Sequence, residues 1–233
     1  MNGSSLKTML ISGGPDSAVM AYTLAKESQD LRFIFLRHGR LRNTMELKAS
    51  RIIARNLDIP LDVADLTGIR KVYAGYRRGE EMDLDAEPPV ANVIDDDSVP
   101  FEELMFQKGL SPFSIMITLA LYYTHVVDGI ELYIGLIKSQ TDMRPRTKEY
   151  LEKLSELNMI LNPTLPKVVI HAPQIEMSKA DVIASGLEMG VPFVDTWSCL
   201  YAGEMHCGTC QHCTQRKDAF RELGVEDPVR YAI

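Results

Sequence analysis

The chain has 233 residues, 45% hydrophobic and 24% charged, which is enough apolar material for the core of one sizeable domain and too ordinary a charge content for disorder. A net charge of -7 at pH 7 and a pI near 5.3 lack the basic balance of a protein that grips nucleic acid through its phosphates, which argues against nucleic acid as a direct partner. No run reaches the roughly 18 apolar residues of a membrane span, and the longest candidate, 115–127, is interrupted by Thr118, Thr124 and His125.

In chain order, the apolar run 8–12 ends in Gly-Gly, as a buried parallel strand does, and 17–27 carries apolar residues at helical spacing. The region before it lacks the layout of a signal peptide, and a cytoplasmic location is expected. A second strand is predicted at 32–36, a helix at 44–57 and a short strand at 61–66. The stretch 67–111, rich in Gly, Pro, Asp and Glu, reads as an insertion or lid. A helix at 113–127, a strand at 131–136, a helix at 145–158, a strand at 168–172 and a helix at 178–186 follow, with a closing helix at 214–223. This βαβα rhythm predicts a doubly wound, mostly parallel α/β sheet over 1–196, with ligands at the C-terminal ends of its strands, and a small cysteine-bearing region over 197–233.

The first strand runs into Ser12-Gly13-Gly14-Pro15-Asp16-Ser17. Two glycines at a strand-to-helix turn let backbone approach a ligand, and the helix that follows offers free N–H groups and the positive end of its dipole to an anion. Pro15 suits a first helical turn, where its missing N–H costs little. Ser12 and Ser17 add hydroxyls, and Asp16 is expected as an N-terminal cap or a magnesium partner. No Gly-Lys-Ser/Thr follows, so this is not a Walker A loop.

All four cysteines fall in the pattern C-x7-C-x2-C-x2-C: Cys199, Cys207, Cys210 and Cys213. Four soft ligands with Cys-x2-Cys turns suit a closed tetrahedral zinc site, with Gly208 giving the turn its freedom. Disulfides do not suit a reducing compartment. An iron–sulfur run of the ferredoxin kind places its fourth Cys downstream before a Pro, which is absent. His206 and His212 read as bystanders or as groups behind the ligands, and Arg216 and Lys217 as cations offsetting the thiolates.

Ser12 to Ser17 resembles the S-G-G-x-D-S signature of PP-loop ATP pyrophosphatases, which cradle the β,γ-pyrophosphate of ATP and split the α–β bond. Residues 178–220 resemble the C-terminal region of the 7-cyano-7-deazaguanine synthase (QueC) family in four features: the S-K-A-D helix start, the T-W-S-C stretch, the cysteine spacing and the C-x-x-C-x-x-R-x-x-x-F tail. The resemblance implies a ligase using ATP, magnesium and zinc that adenylates 7-carboxy-7-deazaguanine. Ammonia then displaces AMP, and a second activation dehydrates the amide to the nitrile. It implies that Ser12, Gly13, Gly14, Pro15, Asp16 and Ser17 hold pyrophosphate, and that Lys179, opening its helix, neutralises phosphate charge. Asp142 and Arg144 match a D-x-R of the family's substrate loop, with Arg144 able to pair with phosphate or carboxylate in bidentate fashion. The sole tryptophan, Trp197, either stacks on the deazapurine or anchors the knuckle to the core. A homodimer is the family's habit.

The chain departs from the family in two places. The V-P-G-R-N stretch before the central helix is replaced by residues 109–114, Gly-Leu-Ser-Pro-Phe-Ser, and the Y-G-Q-R-H-x-x-E that follows the second strand is matched imperfectly by His38 to Asn43. QueC-like proteins of bacterial antiviral defence imply an alternative acceptor, an amine on a protein. A tRNA thiolase would need a cysteine free of metal, and a non-catalytic nucleotide-binding subunit would not need the full loop.

Overall fold

The computed structural model of the chain describes residues 6–38, 42–67, 112–142 and 145–233. The 67–111 insertion, beyond Thr67, and Arg144 lie outside the described residues. The elements are β1 (Lys7–Leu10), α1 (Pro15–Glu27), β2 (Leu31–Arg37), α2 (Asn43–Asn56), β3 (Leu61–Asp65), α3 (Pro112–Val126), β4 (Glu131–Ile134), the short α4 (Lys138–Thr141), α5 (Thr147–Leu161), β5 (Val169–His171), α6 (Lys179–Met189), a 3-10 turn at Phe193–Asp195 and α7 (Gln211–Glu222).

Five parallel strands lie in the order β3-β2-β1-β4-β5. Met9 faces Phe33 on one side and Tyr133 on the other, so β1 is central. The chain winds outward through β2 and β3, then returns across β1 to β4. The strand order reverses between β1 and β4, and a doubly wound sheet opens its ligand crevice at such a point. The fold is the expected α/β sheet, with three adjustments. β1 stops at Leu10 because the Gly-Gly turn begins three residues on; the four-residue α4 and the 3-10 turn were too short to show periodicity; and α7 starts at Gln211, ahead of Cys213.

Alternation along the strands builds two cores. Met9, Ile11, Phe33 and Phe35 point to the side covered by α1, α2, α6 and α7, where they meet Val19, Leu24, Ile53, Ile183 and Phe220. Ile34, Leu36, Leu132 and Ile134 point to the other, covered by α3 and α5 through Ile117, Leu121 and Leu151. Each such side chain contributes about 1.5–3 kcal/mol on full burial. Two helices that reach the site have clear start signals. α1 opens on Pro15 at its first position, with Gly14 as N-cap. α6 opens on a reciprocal cap: Ser178 Oγ accepts the Asp181 N–H at 3.1 Å and Asp181 Oδ2 accepts the Ser178 N–H at 2.9 Å. It ends at Gly190, at φ 74°.

Candidate active site and metal centre

The Ser12–Ser17 loop sits where β1 hands over to α1, beside the switch point. Gly13 has φ +73°, and a Cβ there would stand 2.3 Å from the Glu46 carbonyl oxygen, so no other residue fits. Gly135, just past β4, lets that strand press on the start of α1, since its Cβ would lie 3.3 Å from Ser17 Cα. The loop is braced from within: Ser12 Oγ donates to Ser17 Oγ at 3.1 Å, and Ser17 Oγ donates to the Gly14 carbonyl at 3.0 Å. Ser17, buried, therefore spends its proton on the loop, whereas Ser12 is exposed at its rim. The expectation that Asp16 caps the helix is corrected: Gly14 is the N-cap and makes no side-chain cap bond, which leaves the first-turn N–H groups without an intrahelical acceptor.

Asp16, in the first turn of α1, meets Lys179, the first residue of α6, with Nζ 2.8 Å from Oδ1 and 2.7 Å from Oδ2. Their side chains are 13% and 19% exposed. Two helix N-termini thus converge, and the cation of one is parked on the carboxylate of the other. Asp16 retains lone pairs beyond those facing Lys179, as a magnesium ligand requires. The loop after β4 closes the same end: Lys138 N–H donates to the Met177 carbonyl at 3.0 Å. Asp142 caps α4 at the surface and is held by Lys138 Nζ at 2.7 Å.

Trp197 is 7% exposed, in one apolar cluster with Ala49, Cys199 and Cys213. Its indole Nε1 donates to the Cys199 carbonyl at 3.1 Å and its ring lies 4.3 Å from that of His206. With the ring buried against His206, of the two roles expected for Trp197 its surroundings are those of the anchor. Its N–H donates to the Gly13 carbonyl at 2.8 Å, joining knuckle and phosphate loop. His206, placed by sequence as a bystander, is held neutral: burial first, then the Arg216 charge, pull its pKa to about 4, and its Nε2 accepts the Ser198 N–H at 3.2 Å.

The sulfurs of Cys199, Cys207, Cys210 and Cys213 all lie within 4.8 Å of one another. The Cys207 and Cys213 sulfurs are 3.9 Å apart, near the roughly 3.8 Å edge of a thiolate tetrahedron with metal–sulfur bonds of about 2.3 Å. Main-chain N–H groups of Tyr201 and Cys207 donate to Cys199 Sγ, both at 3.4 Å, and that of Cys210 donates to Cys207 Sγ at 3.3 Å. Burial works against the Cys207 thiolate, but N–H groups of Cys210 and Thr209 and the Thr209 hydroxyl outweigh it and bring the thiol to about 6. At Cys213 burial wins and pushes the thiol up. A bound cation would ionise all four. The donor set fits a closed tetrahedral site.

Arg216 does not offset the thiolates as expected. It is fully buried and grips Asp227 through Nε at 2.8 Å and Nη2 at 2.9 Å, while Nη1 reaches Thr196 Oγ1 at 2.7 Å. Tyr231 Oη also donates to Asp227, at 2.5 Å. Lys217 lies over the Tyr231 ring, 5.1 Å from its centroid. The signal for Arg216 was in the sequence: Cys213, Arg216 and Phe220 share one helical face, and a cation on a buried face needs a buried partner. Arg42, Asn43 and Glu46, at the start of α2 behind Gly13, were also missed as a unit. Arg42 Nε lies 3.2 Å from Glu46 Oε1, and Asn43 Nδ2 donates to Glu46 Oε2 at 2.6 Å.

A family model described as queuosine biosynthesis protein QueC matches residues 7–224. The chain is 30% identical over 223 residues to the 7-cyano-7-deazaguanine synthase of Methanoculleus marisnigri, covering 95% of this chain and 96% of that protein. It is 28% identical over 232 residues to the enzyme of the same name from Rhizobium rhizogenes, covering 97% and 92%. A solved structure of the U34-tRNA thiolase NcsA from Methanococcus maripaludis with its [4Fe-4S] cluster has a TM-score of 0.49 at 15% identity, covering 95% of this chain and 66% of that one.

Proposed function

The chain belongs to the QueC family, and from that premise we propose that it is an ATP-dependent, AMP-forming ligase that converts 7-carboxy-7-deazaguanine and ammonia to 7-cyano-7-deazaguanine. The observation that carries the reading is the complete S-G-G-P-D-S loop at the C-terminal end of the central strand, with Lys179 of a second helix brought onto Asp16.

In this reading Ser12, Gly13, Gly14 and the first-turn N–H groups of α1 bind the β- and γ-phosphates, and Ser17 keeps the loop in shape. A substrate carboxylate oxygen attacks the α-phosphorus, and the α–β bridging oxygen leaves with pyrophosphate. Lys179 exchanges part of its contact with Asp16 for the charge developing on the leaving group. Asp16 is the carboxylate that would hold the magnesium carried by ATP, and that charge would support the departure of pyrophosphate. Ammonia then attacks the acyl carbon and AMP leaves with the C–O bond, giving the amide. A second ATP transfers its adenylyl group to the amide oxygen with release of pyrophosphate, and AMP then leaves with that oxygen as the nitrogen gives up its two protons, yielding the nitrile. Arg144 and Asp142, on the segment after β4, are proposed to orient the deazaguanine acid, and Trp197 to anchor the loop.

The four cysteines are proposed to hold zinc, which supplies a cross-link and no reactive position. Their close grouping supports one ion: in a [4Fe–4S] cluster each thiolate binds a different iron, and in a [2Fe–2S] cluster the thiolates divide between two irons, so the four sulfurs do not all gather about one point. The test is incubation with ATP, magnesium and the acid, with and without ammonium, following AMP and product mass. AMP formation with the acid and the nitrile mass with ammonium are expected. No AMP under either condition overturns the substrate assignment.

A further inference from the structure

The link between phosphate loop and knuckle runs through a short chain of contacts. Gly13 is locked in its left-handed conformation, and its carbonyl accepts the Trp197 N–H at 2.8 Å. The peptide is planar and trans, so holding that carbonyl toward Trp197 also fixes the direction of the Gly14 N–H on its opposite side. Two residues after Trp197 comes Cys199, whose carbonyl takes the indole N–H. The indole ring rests on His206, the residue before Cys207. His206 is pinned in turn by the C-terminal tail, its N–H donating to the Arg230 carbonyl at 3.1 Å and its carbonyl accepting the Ala232 N–H at 2.8 Å. Ala49 closes the unit: it shares a cluster with Trp197, Cys199 and Cys213, and its Cβ lies 3.0 Å from where a Gly13 Cβ would be. Any shift of Trp197 relative to the cysteines moves the peptide that aims the loop.

We propose that Trp197 and His206 are positioning residues, a strap through which the metal-filled cysteine site holds the phosphate loop in its anion-binding form, so that metal and pyrophosphate strengthen each other's binding. The inference rests on the phosphate-loop reading above and adds a role for the knuckle beyond stability. Four thiols without a shared ion are held together only by weak N–H to sulfur contacts, and ordering them costs conformational entropy that a bound ion would offset. A ligand that needs the loop ordered then binds the stripped protein less well. Linkage requires the converse, that the same ligand retains the metal.

The test uses the metal-loaded full chain and inorganic pyrophosphate with magnesium. Binding is measured by calorimetry, and metal release to a chromogenic chelator is timed with and without pyrophosphate. Because the chain has one tryptophan, its emission reports Trp197 directly. The strap predicts a pyrophosphate-dependent change in emission, metal release slowed by roughly fivefold or more, and a matching loss of pyrophosphate affinity in stripped protein. Trp197→Leu, checked for fold and metal content, is expected to lose the effect on metal release. Trp197→Phe, which keeps an aromatic ring on His206, is expected to retain part of it. Pyrophosphate binding with unchanged emission and release would overturn the strap alone. Absence of pyrophosphate binding to the loaded chain would overturn the phosphate-loop reading, and the strap with it.

Discussion

At the phosphate loop, the groups that would face a ligand are main-chain amides, and the Asp16–Lys179 ion pair beside them keeps 13% and 19% of its side chains exposed. At the knuckle a few ångströms away, the work is done by side chains shut from water: Cys199 and Cys213 at 1% and 0% exposure, and Arg216 at 0% clamped on Asp227. A site whose ligand comes and goes must leave its donors reachable and its charges exchangeable. A permanent centre gains from burying and saturating its own. The same chain builds both, and the Trp197–Gly13 hydrogen bond is where they meet.

That contrast breaks most completely at the metal. Cys213→Ser removes a buried thiol of the proposed metal site, and because structural zinc contributes about 10–16 kcal/mol in zinc-finger peptides, the variant is expected to lose bound metal and to become protease-sensitive after residue 196. Metal analysis and limited proteolysis check this. Arg216→Ala comes next. It strands the buried Asp227 carboxylate and is expected to destabilise by about 3–5 kcal/mol in urea unfolding. Gly13→Ala forces a side chain into φ +73° at about 1–2 kcal/mol, with a further cost from the Glu46 carbonyl, and calorimetry should show loss of ATP binding. Lys179→Met sharpens the comparison from the other side. The pair is mostly buried, so stability should fall by about 1–3 kcal/mol, less than for Arg216→Ala, while kcat falls roughly a hundredfold or more. A large loss of stability with little loss of kcat would reverse the assignment of the two regions.

The sheet and its helices were legible in the sequence because parallel strands are short apolar runs and the helices that cover them repeat at 3.6 residues. The loop and cysteines were legible because each is contiguous and has a fixed spacing. What could not be read were partners chosen by tertiary contact. Asp16 looked like a cap until α6 brought Lys179 to it across 163 positions. Arg216 looked like a counter-charge for thiolates until Asp227 was found to occupy it. Trp197 had two readings that sequence could not separate, since both place an aromatic ring before the knuckle. The ring contact with His206 and the hydrogen bond to Gly13 come from the fold alone.

The proposed role of the Ser12–Ser17 loop is to bind ATP for cleavage between the α and β phosphates, with Lys179 serving the leaving pyrophosphate. The most direct test is to identify the nucleotide products by phosphorus NMR when the chain is given ATP, magnesium and 7-carboxy-7-deazaguanine. AMP and pyrophosphate are expected, formed in response to the acid and greatly reduced by Lys179→Met. ADP and orthophosphate would contradict that role, because they would mean that the loop directs cleavage at the other phosphate bond.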